Sequence, residues 1–195
     1  MANYNFILAS ASPRRRELLS IYVDNFKIIP ADIDETIPNN INIKEAPLYI
    51  AKKKAEAVKH NILDNDILIT ADTIVMLEDR VYGKPKNKQD AFNMIKTLSN
   101  KEHSVITGVC CYSGDNKINI EFNDTTYVTF NNLDDNIINS YLNYDEYKDK
   151  AGGYAVQGIA SFFVKKIMGS YDNVVGLPMG RLFNELLKCN INILK

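Results

Sequence analysis

Two hydroxyls and three guanidiniums stand in a row at Ser10-Ala11-Ser12-Pro13-Arg14-Arg15-Arg16. The segment lies between a short apolar run, Phe6 to Ala9, and a stretch that reads as a helix opening with Ser12 as N-cap and Pro13 at the first helical position. A helix N-terminus presents free N–H groups and partial positive charge. With serine donors and forked arginines beside it, such a terminus suits phosphate oxygens. Three arginines there oppose the helix dipole, and a bound anion would relieve that cost. The plainer reading is a capped helix with solvated arginines.

Further segments carry polar chemistry. Asp32-Ile33-Asp34-Glu35 supplies carboxylates; alone it is a solvated acidic loop, but with phosphates nearby it offers oxygen ligands to Mg²⁺ or Mn²⁺. Thr70-Ala71-Asp72-Thr73 places a carboxylate at an expected strand end, where open α/β sheets bind ligands; a polar turn or N-cap is the alternative. Lys84, between Gly83 and Pro85, is a phosphate contact or a surface lysine. Gly152 to Gly158 and Gly169 to Pro178 read as ordered, glycine-shaped loops. His60 and His103 share no motif, and no Ser/His/Asp or Cys/His grouping marks a covalent nucleophile. Tyr141, Tyr144 and Tyr147 read as packing or a helix face rather than a base-stacking platform.

Strands and helices must position these groups. Phe26 to Pro30, Ile67 to Thr70, Thr73 to Leu77 and Phe162 to Ile167 read as strands. Val105 to Tyr112 and Ile118 to Phe130 read as a hairpin across Ser113-Gly114-Asp115-Asn116. Leu48, Ala51, Ala55 and Val58 have helical spacing, with Lys52, Lys53, Lys54 and Lys59 among them. Phe92, Ile95 and Leu98 mark another helix, as do Ile137, Ile138 and Tyr141, and Pro178 opens a last one through about Leu187. Alternating strands and helices interrupted by a long hairpin predict an α/β fold with a mixed, strongly twisted sheet and flanking helices. Neither GxGxxG nor GxxxxGK[ST] is present, which removes support for dinucleotide and P-loop readings.

The bulk properties set limits. The 195 residues, 46% hydrophobic and 24% charged, fit one domain over 1–195, with two lobes sharing a continuous core. A net charge of −1 and no basic stripe argue against a nucleic-acid partner. No run of about 18 apolar residues suggests a membrane span. Met1 to Ala9 lacks the pattern of a signal peptide. Cys110, Cys111 and Cys189 have no zinc spacing and read as buried or inert thiols in a reducing cytoplasm.

Taken together, the segments resemble the Maf family of nucleotide pyrophosphatases. The matching stretches are Ile7 to Arg15, Asp34-Glu35, Lys54-Ala55, Ala71-Asp72-Thr73-Ile74-Val75, Gly83-Lys84-Pro85, Thr107-Gly108-Val109, Lys150-Ala151-Gly152, Gln157-Gly158 and Gly169 to Pro178. They run in the family's order across nearly the whole chain, and their specificity is joint rather than individual. Ala155 and Tyr147 depart from a common glycine and a common proline, both on loop backbone.

The resemblance implies an elongated two-lobed architecture of the Maf/ITPase type with a central cleft, a divalent metal (Mg²⁺ or Mn²⁺), and a possible homodimer. It implies a nucleoside triphosphate substrate cleaved to monophosphate and pyrophosphate. In it, Asp72 resembles the proton acceptor and Glu35 the carboxylate of catalysis or metal binding; Glu35 and Asp72 together would hold the metal, with Asp72 instead, or also, accepting the water's proton. Ser10, Arg14, Lys54 and Lys84 resemble phosphate-binding groups, while Arg14, Thr73 and Gln157 fall at positions tied to substrate selection. The competing expectation is a nucleotide-binding regulator of septum formation without catalysis. A glutamine amide offers a donor and an acceptor side by side, matching the N3–H and carbonyl edge of uracil and thymine. Gln157 therefore implies dTTP and UTP, the alternative being that it only braces the Gly158 loop; the similar branch acting on 7-methyl-GTP differs at the positions of Thr73 and Gln157.

Overall fold

The computed structural model describes residues 4–194. Met1–Asn3, where the segment read as lacking a leader begins, and Lys195 lie outside the described residues. In chain order come β1 (Asn5–Leu8), α1 (Pro13–Ser20), β2 (Phe26–Ile28), α2 (Ala46–Val58), β3 (Asp66–Leu77), β4 (Arg80–Tyr82), α3 (Lys88–Leu98), β5 (Glu102–Ser113), β6 (Asn119–Phe130), α4 (Asp135–Tyr141), β7 (Val164–Met168), α5 (Tyr171–Val175) and α6 (Met179–Lys188). The strands join one sheet in the order β2-β1-β3-β5-β6-β7, with β4 paired to β3. β1 runs parallel to β2 and β3, whereas β3–β4 and β6–β7 are antiparallel, so the sheet is mixed.

The structure redraws four boundaries. Residues 66–77 form a single strand rather than two, because the backbone stays extended through Thr70 to Thr73 while their polar side chains alternate between faces. β4 was not expected: three residues pair with β3 across Glu78-Asp79, where Glu78 takes a left-handed φ of 54°. Within the stretch read as a glycine loop, 171–175 form α5. The strand expected from Phe162 begins at Val164, after a 3-10 turn at Ile159–Phe163 that buries Phe163.

Two compact units divide the chain. The first comprises 4–72, Thr107–Asp124 and 176–194, and its core is built on α2. Ala51, Ala55 and Val58 of that helix pack on Ile7 and Ala9 from β1 and its end, Leu68 of β3 and Cys110 of β5. These positions recur at helical spacing, so one face of α2 is apolar. Small residues allow a close approach. A Cβ at Gly108 would lie 2.1 Å from the Leu48 backbone nitrogen, so only glycine lets the first turn of α2 lie against β5. Thr70 Oγ1 then donates to the Ala51 carbonyl at 2.8 Å, fixing the helix along β3.

The second unit comprises Thr73–Ile106 and Thr125–Val175. Its core joins Ala91, Ile95 and Leu98 of α3 to Val128 and Phe130 of β6, with Tyr141, Tyr147, Tyr154 and Phe163. Tyr141 and Tyr147 are buried and Tyr144 is exposed, in keeping with a packing role. Cys110 and Cys111 are buried thiols whose pKa burial raises, to about 12 for Cys110, whereas Cys189 is exposed. Among the described residues no helix is long and apolar enough to cross a membrane.

His60 is exposed, but His103 is buried edge-on against Phe130 and Tyr154, with ring centroids 4.8 and 5.5 Å away. Its Nε2 lies 2.7 Å from the Tyr154 hydroxyl, and Nδ1 has no partner. Burial disfavours the cation and lowers the pKa from 6.5 to about 4. Since the unfolded chain binds this proton more readily, the contribution of neutral His103 is complete above pH 6.5 and lost as pH falls toward 4. The loss totals about 3 kcal/mol. Denaturant unfolding at pH 7 and pH 4.5 should show a smaller acid-induced loss for His103→Gln than for wild type, by about 2 kcal/mol. Equal losses would contradict this.

Candidate active site

The first unit gathers the acidic loop, α2 and β3 around one nitrogen. β1 pairs with β3 as far as Leu8 and Ile69, and the Ala9 N–H donates to the Ile69 carbonyl at 2.9 Å. β3 continues beyond the end of this neighbour, so Asp72 lies inside a strand and not at its end as expected, yet past the C-terminal edge of β1. Leu68, Thr70 and Asp72 alternate onto the face that meets α2. With Thr70 bonded to Ala51, Lys54 one turn later reaches Asp72 Oδ1 at 2.8 Å and Glu35 Oε1 at 2.7 Å. The Lys54 side chain is only 11% exposed, against 19% for Asp72 and 55% for Glu35. A buried ammonium needs such partners, and here it holds both candidate catalytic carboxylates.

The acidic loop assigns different tasks to its carboxylates. Asp34 turns back on the loop, where Oδ1 accepts from Thr36 N at 3.0 Å and Thr36 Oγ1 at 2.6 Å. These bonds hold the Asp34 carboxyl below its ordinary range. Lys53 donates to the Asp34 carbonyl at 2.5 Å, so consecutive lysines of α2 grip consecutive loop residues and deliver Glu35 to Lys54. Asp32 is exposed.

At α1, Ser12 occupies the N-cap position, but its side chain makes no capping bond; the Ser12 N–H instead donates to Ser10 Oγ at 3.2 Å. The first turn contains no acidic residue. Arg15 was not among the expected site residues, yet it organises this corner. Its Nη1 donates to the Ala71 carbonyl at 2.9 Å and to Ser10 Oγ at 3.3 Å, and its Nε donates to the Gly176 carbonyl at 2.8 Å. Burial is the main influence lowering its pKa; Asp72 and Glu35 pull the other way and Arg14 adds to the lowering. Arginine stays charged regardless. The missed signal was spacing: Arg15, Leu18 and Leu19 stand at i, i+3 and i+4, and both leucines are buried. Arg14 is half-buried beside it.

Ser10, Arg15, Glu35, Lys54 and Asp72 thus meet within one unit. Thr73, Lys84 and Gln157 belong to the second unit. Thr73 follows Asp72 on β3 and is partly buried, while Lys84 is exposed on the loop after β4. There the Gly83 carbonyl accepts the Gly152 N–H at 3.0 Å. Gln157 is exposed, following the buried residues Tyr154, Ala155 and Val156.

Among the described residues no three His, Cys, Asp or Glu side chains cluster as a metal site. Two carboxylates converging on one cation are nonetheless a hard-oxygen donor set, and Mg²⁺ commonly takes one or two carboxylates with phosphates and waters completing its shell. The residues present fit that mode.

Lysine cannot reproduce the fork by which Arg15 serves two carbonyls. Arg15→Lys should lower the unfolding free energy by about 1–3 kcal/mol, the cost of leaving a buried acceptor unmet. Unchanged stability in denaturant titration would contradict the assignment.

The chain matches the Maf-like protein family over residues 5–189. It is 46% identical over 193 residues to the dTTP/UTP pyrophosphatase of Ruminiclostridium cellulolyticum, an alignment covering 98% of this chain and 99% of that protein. It is 47% identical to the dTTP/UTP pyrophosphatase of Parabacteroides distasonis (95% and 96% covered) and 48% identical to that of Pyrococcus abyssi (93% and 94%). Among solved structures, the Staphylococcus aureus Ham1 protein aligns with a TM-score of 0.44 and 14% identity over 65% of this chain and 71% of its own. A family match from residue 5 to residue 189, with near-full-length relatives at 46–48% identity, shows that the chain belongs to the Maf-like proteins.

Proposed function

We propose that this chain hydrolyses dTTP and UTP to the nucleoside monophosphate and pyrophosphate. Its relatives named dTTP/UTP pyrophosphatase support the substrates. The observation that carries the chemistry is the Lys54 ammonium, at 2.7 and 2.8 Å from Glu35 and Asp72. That trio pairs a carboxylate able to take a proton with a cation able to meet phosphate charge.

In this reading a water oxygen attacks the α-phosphorus, forming the new P–O bond as the bond from the α-phosphorus to the α,β-bridging oxygen breaks. The electron pair leaves with pyrophosphate. Lys54 engages Asp72 Oδ1, so Oδ2 is the oxygen assigned to accept the water's proton. Lys54, Arg14 and Lys84 neutralise the triphosphate and the charge growing on the leaving group. Ser10 Oγ accepts from Ser12 and Arg15, and its own proton is assigned to a phosphate oxygen. Glu35 and Asp72 are the residues that would hold Mg²⁺ or Mn²⁺, which when bound polarises phosphate oxygens as a Lewis acid.

Thr73 and Gln157 are assigned to base selection. The Gln157 amide pairs with the N3–H and carbonyl edge of uracil or thymine, whereas cytosine leaves one partner mismatched, at about 1–3 kcal/mol when buried. A cytoplasmic location belongs to the same reading, supported by the free thiols of Cys110, Cys111 and Cys189 and by the nucleotide substrates.

Pyrophosphate release should be assayed for dTTP, UTP, CTP, GTP and 7-methyl-GTP, with and without Mg²⁺ or Mn²⁺. Turnover should favour dTTP and UTP and require the metal, and Asp72→Asn should lose at least about a hundredfold in kcat. Nucleotide binding without release would instead identify a regulator, and near-wild-type turnover in Asp72→Asn would remove that residue from the chemistry.

A further inference from the structure

Gln157 sits on a loop that contains its own brace. The segment from Asp145 to Gly158 leaves α4 and its following turn, and returns through Gly152 and Gly153. Asp145, in a left-handed conformation at φ 59°, pairs with Lys148 at 2.8 Å, which shapes the turn that presents Glu146. Thirteen residues on, the Ile159 N–H donates to Glu146 Oε2 at 2.9 Å. The same carboxylate lies close against Gly158, where a Cβ would sit 2.2 Å from Oε2 and 2.9 Å from Cδ. Gly158 is the N-cap residue of the 3-10 helix Ile159–Phe163 and has no side chain with which to cap it. Glu146 supplies that acceptor from a distance, with charge of the favourable sign for a helix N-terminus.

The other side of Gln157 is also held. Tyr154, Ala155 and Val156 are buried, and the Gly158 N–H closes a turn onto the Ala155 carbonyl at 3.2 Å. The Gln157 side chain projects from a short segment anchored by buried residues before it and by the Glu146 carboxylate after it. We propose that Glu146 is a positioning residue for base selection, fixing the Gly158–Ile159 backbone and with it the direction of the Gln157 amide. This rests on the reading that Gln157 recognises the base. Discrimination between a pyrimidine edge and its mismatch depends on holding that amide in register, and small misplacements are expensive in rate.

The experiment compares kcat/KM for dTTP and CTP in wild type, Glu146→Ala, Glu146→Gln and Gln157→Ala. Glu146→Ala should lower the dTTP/CTP ratio about tenfold, mainly by raising KM for dTTP, with kcat changed by less than about threefold. Glu146→Gln keeps an amide oxygen for the Ile159 N–H and should restore the ratio to within about twofold of wild type. A merely structural role would depress both substrates equally and leave the ratio unmoved. If Glu146→Ala does not fold, Glu146→Asp, which withdraws the acceptor by one methylene, carries the same expectation. A wild-type ratio in the folded Glu146 variant, alongside a lost ratio in Gln157→Ala, overturns the role of Glu146. A wild-type ratio in Gln157→Ala overturns the base reading itself, and the brace with it.

Discussion

A single ammonium holds three distant stretches of chain together. Lys54 is nearly buried and meets Glu35 from the loop before α2 and Asp72 from β3. Taking an ammonium out of water is costly unless charged partners replace the solvent, so both carboxylates must be brought to it. Without Lys54 they would face each other as like charges. The framework around α2 serves this contact: alanines at 51 and 55 bring the helix close, Gly108 admits its first turn, and the Thr70 hydroxyl sets its height along β3.

Arg15 performs the corresponding task on the other side of Asp72. By bonding the Ala71 carbonyl and the Ser10 hydroxyl, it ties the end of the β1 segment to the residue before Asp72. A planar fork suits this because its donors diverge at fixed angles. These bonds cross-link the corner, and the N-terminus of α1 is left without a side-chain cap. Rigid, preorganised charge is what stabilises phosphoryl chemistry, since the protein does not have to reorganise as charge moves.

Local pattern made much of this readable. The Leu48, Ala51, Ala55, Val58 spacing marked α2 and placed Lys54 among its lysines, and the motif order carried Glu35 and Asp72. Where tertiary contact decides, the pattern was silent. The polar run at 70–73 looked like a break because side-chain polarity says little about whether the backbone remains extended. β4 and α5 are too short for periodicity to register. The role of Arg15 was legible in its spacing with Leu18 and Leu19 but was masked by two neighbouring arginines. Nothing local marks Glu146, because its partner lies 13 residues away. Between Asp34 and Glu35, composition shows two acids; only the Thr36 and Lys53 bonds show which one is spent on the loop.

In the proposed reaction the cluster around Lys54 directs water to the α-phosphorus. Hydrolysis of dTTP in ¹⁸O-water, with mass analysis of both products, tests it most directly. Attack at the α-phosphorus leaves one ¹⁸O atom in the thymidine monophosphate and none in the pyrophosphate. Label in the pyrophosphate would place the attack on the β-phosphorus, and release of orthophosphate in its place would mean a different bond is broken; either result would contradict it.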